Sequence, residues 1–460
     1  MPGRGDRRGD PGRALRLPAG ATHRGGGAGA ARGGPSRRGP PDRCGDPRGG
    51  PVSGRSPVTV VGATGAVGRA AAGFLHRAGL PLRLVGRRQA ALRSLAGKLA
   101  GPAYGPGAAT GNGPASGPAP GPGAGPAAMP VAVAVADVTD SDALAGACAG
   151  SGIVVNCAGP ATAVGPRVAV AADAAGAHYV DAAGDDLLDG QLAAAGLPGP
   201  GRVAVLAAGM SPGLTGLLPR LLAGPPFTRV ERLTGYAGGR DRFTPAAATD
   251  YLASLTDGYG LAGAAWRDGR VVAGALTPRL DEPAPFFPGL VSAFPYLSGE
   301  LRRAAADLVL VEASWFNVFD GEHTLALLGR LRTGTGDGTG TGVEPGEAAR
   351  QLCHAAELDA AGLRSYQLFV LELTGVTDAG PLTRTLVARA PDAYLLSGAV
   401  AALAALAVAD GELPPGRHRA DAVLPPERTV RRLGDWGALL SVDVSDVAVA
   451  AAAEVEEGVL

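Results

Sequence analysis

Short β-rich runs alternating with helical stretches, followed by longer mixed strands, predict an α/β chain: a doubly wound parallel sheet with a second, α+β domain. Runs such as Val58-Thr59-Val60-Val61 and Ile153-Val154-Val155 are almost wholly apolar, as strands buried on both faces are. The segments between them space their apolar residues as one face of a helix. At 460 residues the chain exceeds one core, so two lobes are expected.

Residues 1–56 are Gly, Arg and Pro with hardly a large apolar side chain, too little to offset the entropy of ordering, and a disordered tail is expected. A basic arm for nucleic acid is the other reading of these arginines, but no aromatic is present to stack on bases. A start codon placed too far upstream would look the same. From Pro57 the texture changes to strand 58–61, a glycine loop, helix 67–78 and strand 82–85, which ends at Gly86-Arg87-Arg88. Helix 90–99 runs into a Gly/Pro/Ala tract, 101–130, read as a flexible insertion in a surface connection. Strands at 131–136, 153–156, 178–181 and 203–207, with helices at 141–149, 168–175 and 187–195 between them, complete a first domain over 57–215. Strands at 230–237, 308–317, 365–374 and 382–388 predict an antiparallel sheet in a substrate and dimerisation domain, 216–390. The segment 391–460 is expected to be helical and to return to the first domain.

Lys plus Arg and Asp plus Glu balance at 42 each, so net charge recruits neither nucleic acid nor an anionic membrane. Lys98 is the only lysine, and its surface-helix setting leaves no candidate for Schiff-base chemistry. Cys44, Cys148, Cys157 and Cys353 form no C-x-x-C pair and no metal spacing with the histidines, so neither a disulfide framework nor a metal site is expected. A reducing cytoplasm fits. The N-terminus lacks the apolar core of a secretory signal, and the most apolar stretch, 393–409, falls short of the roughly 20 residues a membrane span needs.

The loop Gly62-Ala63-Thr64-Gly65-Ala66-Val67-Gly68 follows a strand and opens a helix. That context makes its glycines a dinucleotide fingerprint, with the pyrophosphate on the helix N-terminus, and the first domain a Rossmann domain. Where an NAD-selective chain offers an acid to the ribose, this one offers Arg87 and Arg88, which suits the 2′-phosphate of NADP, with NAD the alternative. Asp137 and Val138, ending the third strand, are expected at the adenine. Asn156, Ala158, Gly159 and Pro160, ending the fourth, are expected beside the nicotinamide ribose.

Four segments carry a family resemblance: 58–68, Val154-Val155-Asn156-Cys157-Ala158-Gly159-Pro160, His178-Tyr179-Val180-Asp181-Ala182-Ala183-Gly184-Asp185 and Gly209-Met210-Ser211-Pro212-Gly213-Leu214. In order and spacing they resemble the saccharopine dehydrogenase-like NAD(P)-binding oxidoreductases, clearly over 58–218 and more weakly at Leu424-Pro425-Pro426-Glu427. The resemblance implies a Rossmann domain with an α/β substrate domain, a homodimer and a nicotinamide cofactor. It does not select among saccharopine enzymes, carboxynorspermidine-type synthases and lipid enoyl reductases. The chain departs from the amino-acid enzymes in its single lysine, and no arginine pair matches a carboxylate clamp, although Arg240 and Arg242 are available.

Hydride transfer needs a nearby acid to protonate or polarise the product. Candidates are Asp181, Asp185, Ser211, Tyr236, Asp250, Tyr251 and His323, with Asp185, Ser211, Gly213 and Arg240 as substrate contacts. Structural roles compete at each: Asp181 and Asp185 precede small residues as turn or cap residues do, and Ser211-Pro212-Gly213 looks like a helix start. Tyr236 is expected in a glycine-rich loop, 235–239, facing the cofactor. Tyr251 lacks the lysine four residues on that activates a short-chain dehydrogenase tyrosine, position 255 being leucine. The reading is an NADP-dependent oxidoreductase acting on a small imine, amino-acid-derived or carbonyl metabolite. Its alternatives are an enoyl reductase acting in trans on a lipid or polyketide intermediate, with Phe286-Phe287-Pro288 and Phe294-Pro295-Tyr296 as an apolar surface, and a non-catalytic NADP-binding regulator.

Overall fold

The computed structural model describes residues 56–101, 129–255, 259–333 and 344–457. The tail expected over 1–56 and the insertion over 101–130 lie almost entirely outside the described residues.

The first lobe runs β1 (Val58–Val61), α1 (Ala66–Arg77), β2 (Leu82–Gly86), α2 (Gln89–Ala100), β3 (Val131–Val135), α3 (Ser141–Cys148) and β4 (Ile153–Asn156). It continues through α4 (Ala161–Val164), α5 (Arg167–Ala174), β5 (His178–Asp181), α6 (Asp186–Ala194), β6 (Val203–Leu206) and α7 (Leu214–Leu222). The second lobe follows with β7 (Arg229–Arg240), α8 (Pro245–Ser254), β8 (Gly260–Ala262), β9 (Ala265–Arg267), β10 (Arg270–Val272), β11 (Arg279–Pro283) and β12 (Leu290–Ser298). Next come α9 (Gly299–Asp307), β13 (Glu312–Phe319), α10 (Glu322–Thr333), α11 (Pro345–Asp359), β14 (Tyr366–Thr377) and β15 (Gly380–Ala390). The chain closes with α12 (Ala393–Ala409), β16 (Gly416–Arg419), α13 (Ala420–Val423), α14 (Pro426–Asp435), β17 (Ser441–Ser445) and α15 (Val449–Glu457).

Among the described residues the first sheet has seven parallel strands in the order β16-β6-β5-β4-β1-β2-β3. Every residue of β1, β4 and β6 is buried, which is why these strands are apolar runs without alternation. Leu92, Leu95 and Leu99 of α2 join α1, α7 and α12 on one face, while α3, α5 and α6 cover the other. This is the doubly wound arrangement, extended by one late strand.

Helix α12 is apolar on nearly all sides, and the structure buries it against α1 and the first sheet. Small residues allow the approach: a Cβ on Gly398 would lie 2.5 Å from Ala70 Cβ and 2.6 Å from the Val67 carbonyl oxygen.

Three features differ from the sequence-based expectation. The second sheet is mixed, because β7 pairs with β13 in parallel, from Arg232 opposite Glu312 to Gly239 opposite Phe319. The chain between them crosses over through α8, β8 to β12 and α9, which a parallel pair requires. The glycine-rich stretch expected as a loop at 235–239 belongs to β7. The closing segment is not purely helical: β16 extends the first sheet beside β6, and β17 pairs with β15 in the second.

Overpacking at Gly398 is expected to cost about 1–3 kcal/mol, since the added atoms meet a neighbouring helix. Urea unfolding of Gly398→Val should show that loss. Gly97→Ala on α2, with open space around it, should gain up to about 1 kcal/mol.

Candidate functional site

The floor of the site is made by two strand ends in backbone contact. Gly62 ends the β1 turn with φ +75°, and a Cβ there would fall 2.6 Å from the Ala158 nitrogen and 2.8 Å from the Cys157 carbonyl carbon. Gly68, on the first turn of α1, is pressed on the Gly62 carbonyl oxygen and would place a Cβ 2.9 Å from Ala63 Cα. Both glycines are therefore packing requirements. Gly65 differs: it is exposed, and its Cβ position meets only the Gly62 carbonyl oxygen at 3.2 Å. Gly65 is also the N-cap of α1 and offers no side-chain acceptor, so the first amides of the helix are open to an anion. Arg69 braces the loop from outside, donating to the Thr64 carbonyl at 3.1 Å.

From this loop a cleft of about 1500 Å³ runs across the ends of the parallel strands and under the second lobe. Gly62, Thr64, Gly65, Ala66 and Val67 line it near the centre. At one end stand Arg87, Arg88, Asp137 and Val138. The Arg87 side chain is 80% exposed and 4.0 Å from the Asp137 carboxylate, an ion pair too open to fix it. Asp137 is held by Thr139, whose amide and hydroxyl donate to it and draw its carboxyl below the ordinary range.

Asn156, Ala158, Gly159 and Pro160 line the middle. Asn156 donates to Asp181 at 2.9 Å and accepts from the Ala158 amide at 3.1 Å, which sets the turn after β4. Asp181 is buried and lies outside the large cleft; it takes the Asn156 amide, the Tyr179 hydroxyl and the amides of Ala183 and Gly184. It organises a turn and lines a smaller pocket beside the cleft. Burial, and next the Asp181 carboxylate, push the Cys157 thiol up, so this cleft-lining sulfur stays neutral.

At the far end the lobes meet. Asp185, Ser211, Arg240, Asp250 and Tyr251 line the cleft there. Asp185 is the N-cap of α6, accepting from the Leu187 amide at 3.0 Å, and burial with the nearby Asp186 raises it to about 6. Arg240 is engaged by Asp320 at 2.8 and 2.7 Å, and Asp320 also takes the Tyr366 hydroxyl at 2.6 Å. As a free carboxylate clamp it is compromised. Tyr251 packs on Phe243 and Phe319.

Besides Asp181, three sequence candidates are not brought to the cleft. Tyr236 stacks on Phe316 within the second lobe and accepts from Arg279 at 2.7 Å, because the strand that replaces the expected loop turns it inward. His323 sits outside the lining, its Nδ1 2.9 Å from Asp359. Gly213 directs its amide to Glu300 at 2.7 Å, and α7 begins after it at Leu214, so Pro212 precedes the helix. Of the aromatic segments offered for the enoyl-reductase reading, Tyr296 lines the cleft, while Phe286, Phe287 and Phe294 do not.

Sequence reading missed Asp241, Tyr259, Glu300, Tyr394 and Ser397, all lining the cleft. Most belong to the second lobe or to α12, and only folding brings them within reach of the glycine loop. Tyr296 donates to the Ser254 carbonyl at 3.0 Å, and Tyr394 to the Arg242 carbonyl at 2.8 Å. Among the described residues no cluster could hold a metal, and no helix is long and apolar enough to cross a membrane.

Glu300 is buried, and burial with the neighbouring Asp421 carboxylate raises it to about 7. Its raised value means that the folded protein binds a proton that the unfolded chain, titrating near 4.5, does not. The charged form therefore burdens the fold above pH 7, and the burden lifts as pH falls through 7 toward 4.5. Melting temperature should rise from pH 8 to 5.5 on this account, and Glu300→Gln should reduce the slope. An unchanged slope in the variant would contradict the assignment.

No family model and no curated protein matches the sequence. Among solved structures, apo histidine-tagged saccharopine dehydrogenase (L-Glu forming) from Saccharomyces cerevisiae is similar over 85% of this chain and 100% of its own, with 14% identity and a TM-score of 0.54. GenD2 from gentamicin A biosynthesis, in complex with NAD, aligns over 85% of this chain and 95% of its own, with 13% identity and a TM-score of 0.39. Triphenylmethane reductase from Citrobacter sp. aligns over 33% of this chain and 48% of its own, with 18% identity and a TM-score of 0.23. The first likeness spans both lobes, and the chain shares the fold of that saccharopine dehydrogenase.

Proposed function

We propose that this chain is an NAD(P)-dependent oxidoreductase acting on a small imine, amino-acid-derived or carbonyl metabolite, with NADP(H) preferred. The observation that carries the reading is the single cleft that runs from the glycine loop, past the strand ends, to polar side chains of the second lobe. At about 1500 Å³ it exceeds the roughly 300–1,000 Å³ of a typical small-ligand pocket, leaving room for a dinucleotide and a second molecule.

The residues present suit a dinucleotide. The amides of Ala66 and Val67 would hold the pyrophosphate at the uncapped head of α1, where the helix dipole favours an anion. Arg87 and Arg88 would take the 2′-phosphate, Asp137 and Val138 would flank the adenine, and Asn156 to Pro160 would wall the nicotinamide ribose. A bound nicotinamide supplies or receives a hydride; the chain must exclude water and manage the remaining proton. Asp185 is the group we assign to hold that proton, because it lines the substrate end and is raised to about 6, so that it titrates near working pH. Tyr251, Tyr296 and Tyr394 give the same end aromatic walls with polar tips.

Titration of the full chain with NADPH and NADH, followed by cofactor fluorescence, tests the reading. NADPH should bind more tightly than NADH. Arg87→Ala should weaken NADPH about tenfold, the equivalent of roughly 1.4 kcal/mol, and change NADH less than about twofold. Failure of the wild-type chain to bind either nucleotide would overturn the proposal.

A further inference from the structure

Two helix heads on the wall of the cleft have no cap of their own. The N-cap of α4 is Pro160 and that of α7 is Gly213, and neither carries a side-chain acceptor. In both cases a carboxylate from the second lobe supplies it. Asp250 of α8 accepts from the Ala161 amide with both oxygens, at 2.8 and 3.0 Å. Glu300 of α9 accepts from the Gly213 amide at 2.7 Å and from the Thr215 hydroxyl. A third carboxylate, Asp241 at the end of β7, accepts from the Ala393 amide at the head of α12 at 2.8 Å.

The first contact is also sterically shaped. A Cβ on Gly159 would lie 3.1 Å from Ala246 Cβ and 3.6 Å from the Asp250 carboxylate, so α8 lies directly on the turn between Gly159 and Ala161. That turn is the wall assigned above to the nicotinamide ribose. Orphan amides at a helix head need an acceptor, and a buried carboxylate needs donors. Each lobe therefore meets the other's requirement, and the pairing specifies one spacing across the cleft.

We infer that Asp250, with Glu300 and Asp241, is a positioning residue that holds the cofactor-side turns in register with the substrate lobe, so that cofactor affinity depends on a carboxylate of the other lobe. The inference rests on the proposed dinucleotide site for its functional consequence, though the latch itself does not. Loss of solvent raises all three carboxylates above their ordinary range.

The test compares Asp250→Ala with Asp250→Asn in the full chain, since Asn keeps an acceptor oxygen and caps as well as Asp. Two quantities are read: NADPH affinity, and hydrogen exchange at the Ala161 amide in the nucleotide-free protein. Asp250→Ala should weaken NADPH about tenfold and speed that exchange by at least tenfold, while Asp250→Asn should stay within about threefold of wild type on both. Unchanged exchange in Asp250→Ala would overturn the latch, and faster exchange with unchanged NADPH affinity would overturn its positioning role. Should Asp250→Asn match Asp250→Ala on both, the capping mechanism would be wrong. A wild-type chain that binds no NADPH would refute the proposed function and the positioning role together, while the exchange comparison would still decide whether the latch exists.

Discussion

The close approach of backbone to backbone at Gly62 is the constraint on which the rest of the molecule depends. With a Cβ position 2.6 Å from the Ala158 nitrogen, only glycine lets β1 and β4 end side by side. Gly68 repeats the condition one turn into α1, and Gly398 on α12 extends it to the next layer, where helix meets helix over Ala70. These contacts aim the head of α1 across the strand ends. The cleft exists because small residues allow three successive layers to approach.

Across that cleft the second lobe is held by polar contacts. Carboxylates withdrawn from water are costly unless hydrogen-bonded, and the buried Glu300 and the half-buried Asp241 and Asp250 are each matched to amides at the head of a helix of the first lobe. Farther out, Asp186 and Asp189 of α6 pair with Arg303 of α9 and with Arg417 and Arg419 of β16. Arg220 of α7 reaches both Asp307 and Asp421. Geometry set by caps is more specific than geometry set by apolar burial, because an amide N–H donates along one direction. The proposed pairing of a dinucleotide with a second molecule in this cleft would benefit from that definition.

The parallel sheet was legible in the sequence because strands buried on both faces are apolar runs, and the glycine loop was legible because its strand and helix flank it directly. The parallel pairing of β7 with β13 was not, since alternation along a strand carries no record of its partner's direction. The short strands β8 to β11 are too brief and too polar to stand out as runs. Tyr236 was misplaced because glycines at 235, 238 and 239 look like a loop, whereas in the fold they make room for Trp315, Val318 and Tyr366. Glu300 and Asp241 escaped notice for another reason: their partners, Gly213 and Ala393, are far away in the chain. Asp250 was named as a candidate from its place beyond β7, but its contact with Ala161 needed the fold.

The central claim is that the glycine loop and the strand ends beside it hold a dinucleotide in this cleft. Solving the structure with NADP bound tests it most directly. The account predicts the pyrophosphate on the amides of Ala66 and Val67 and the 2′-phosphate beside Arg87. A dinucleotide bound elsewhere, with that loop untouched, would contradict it.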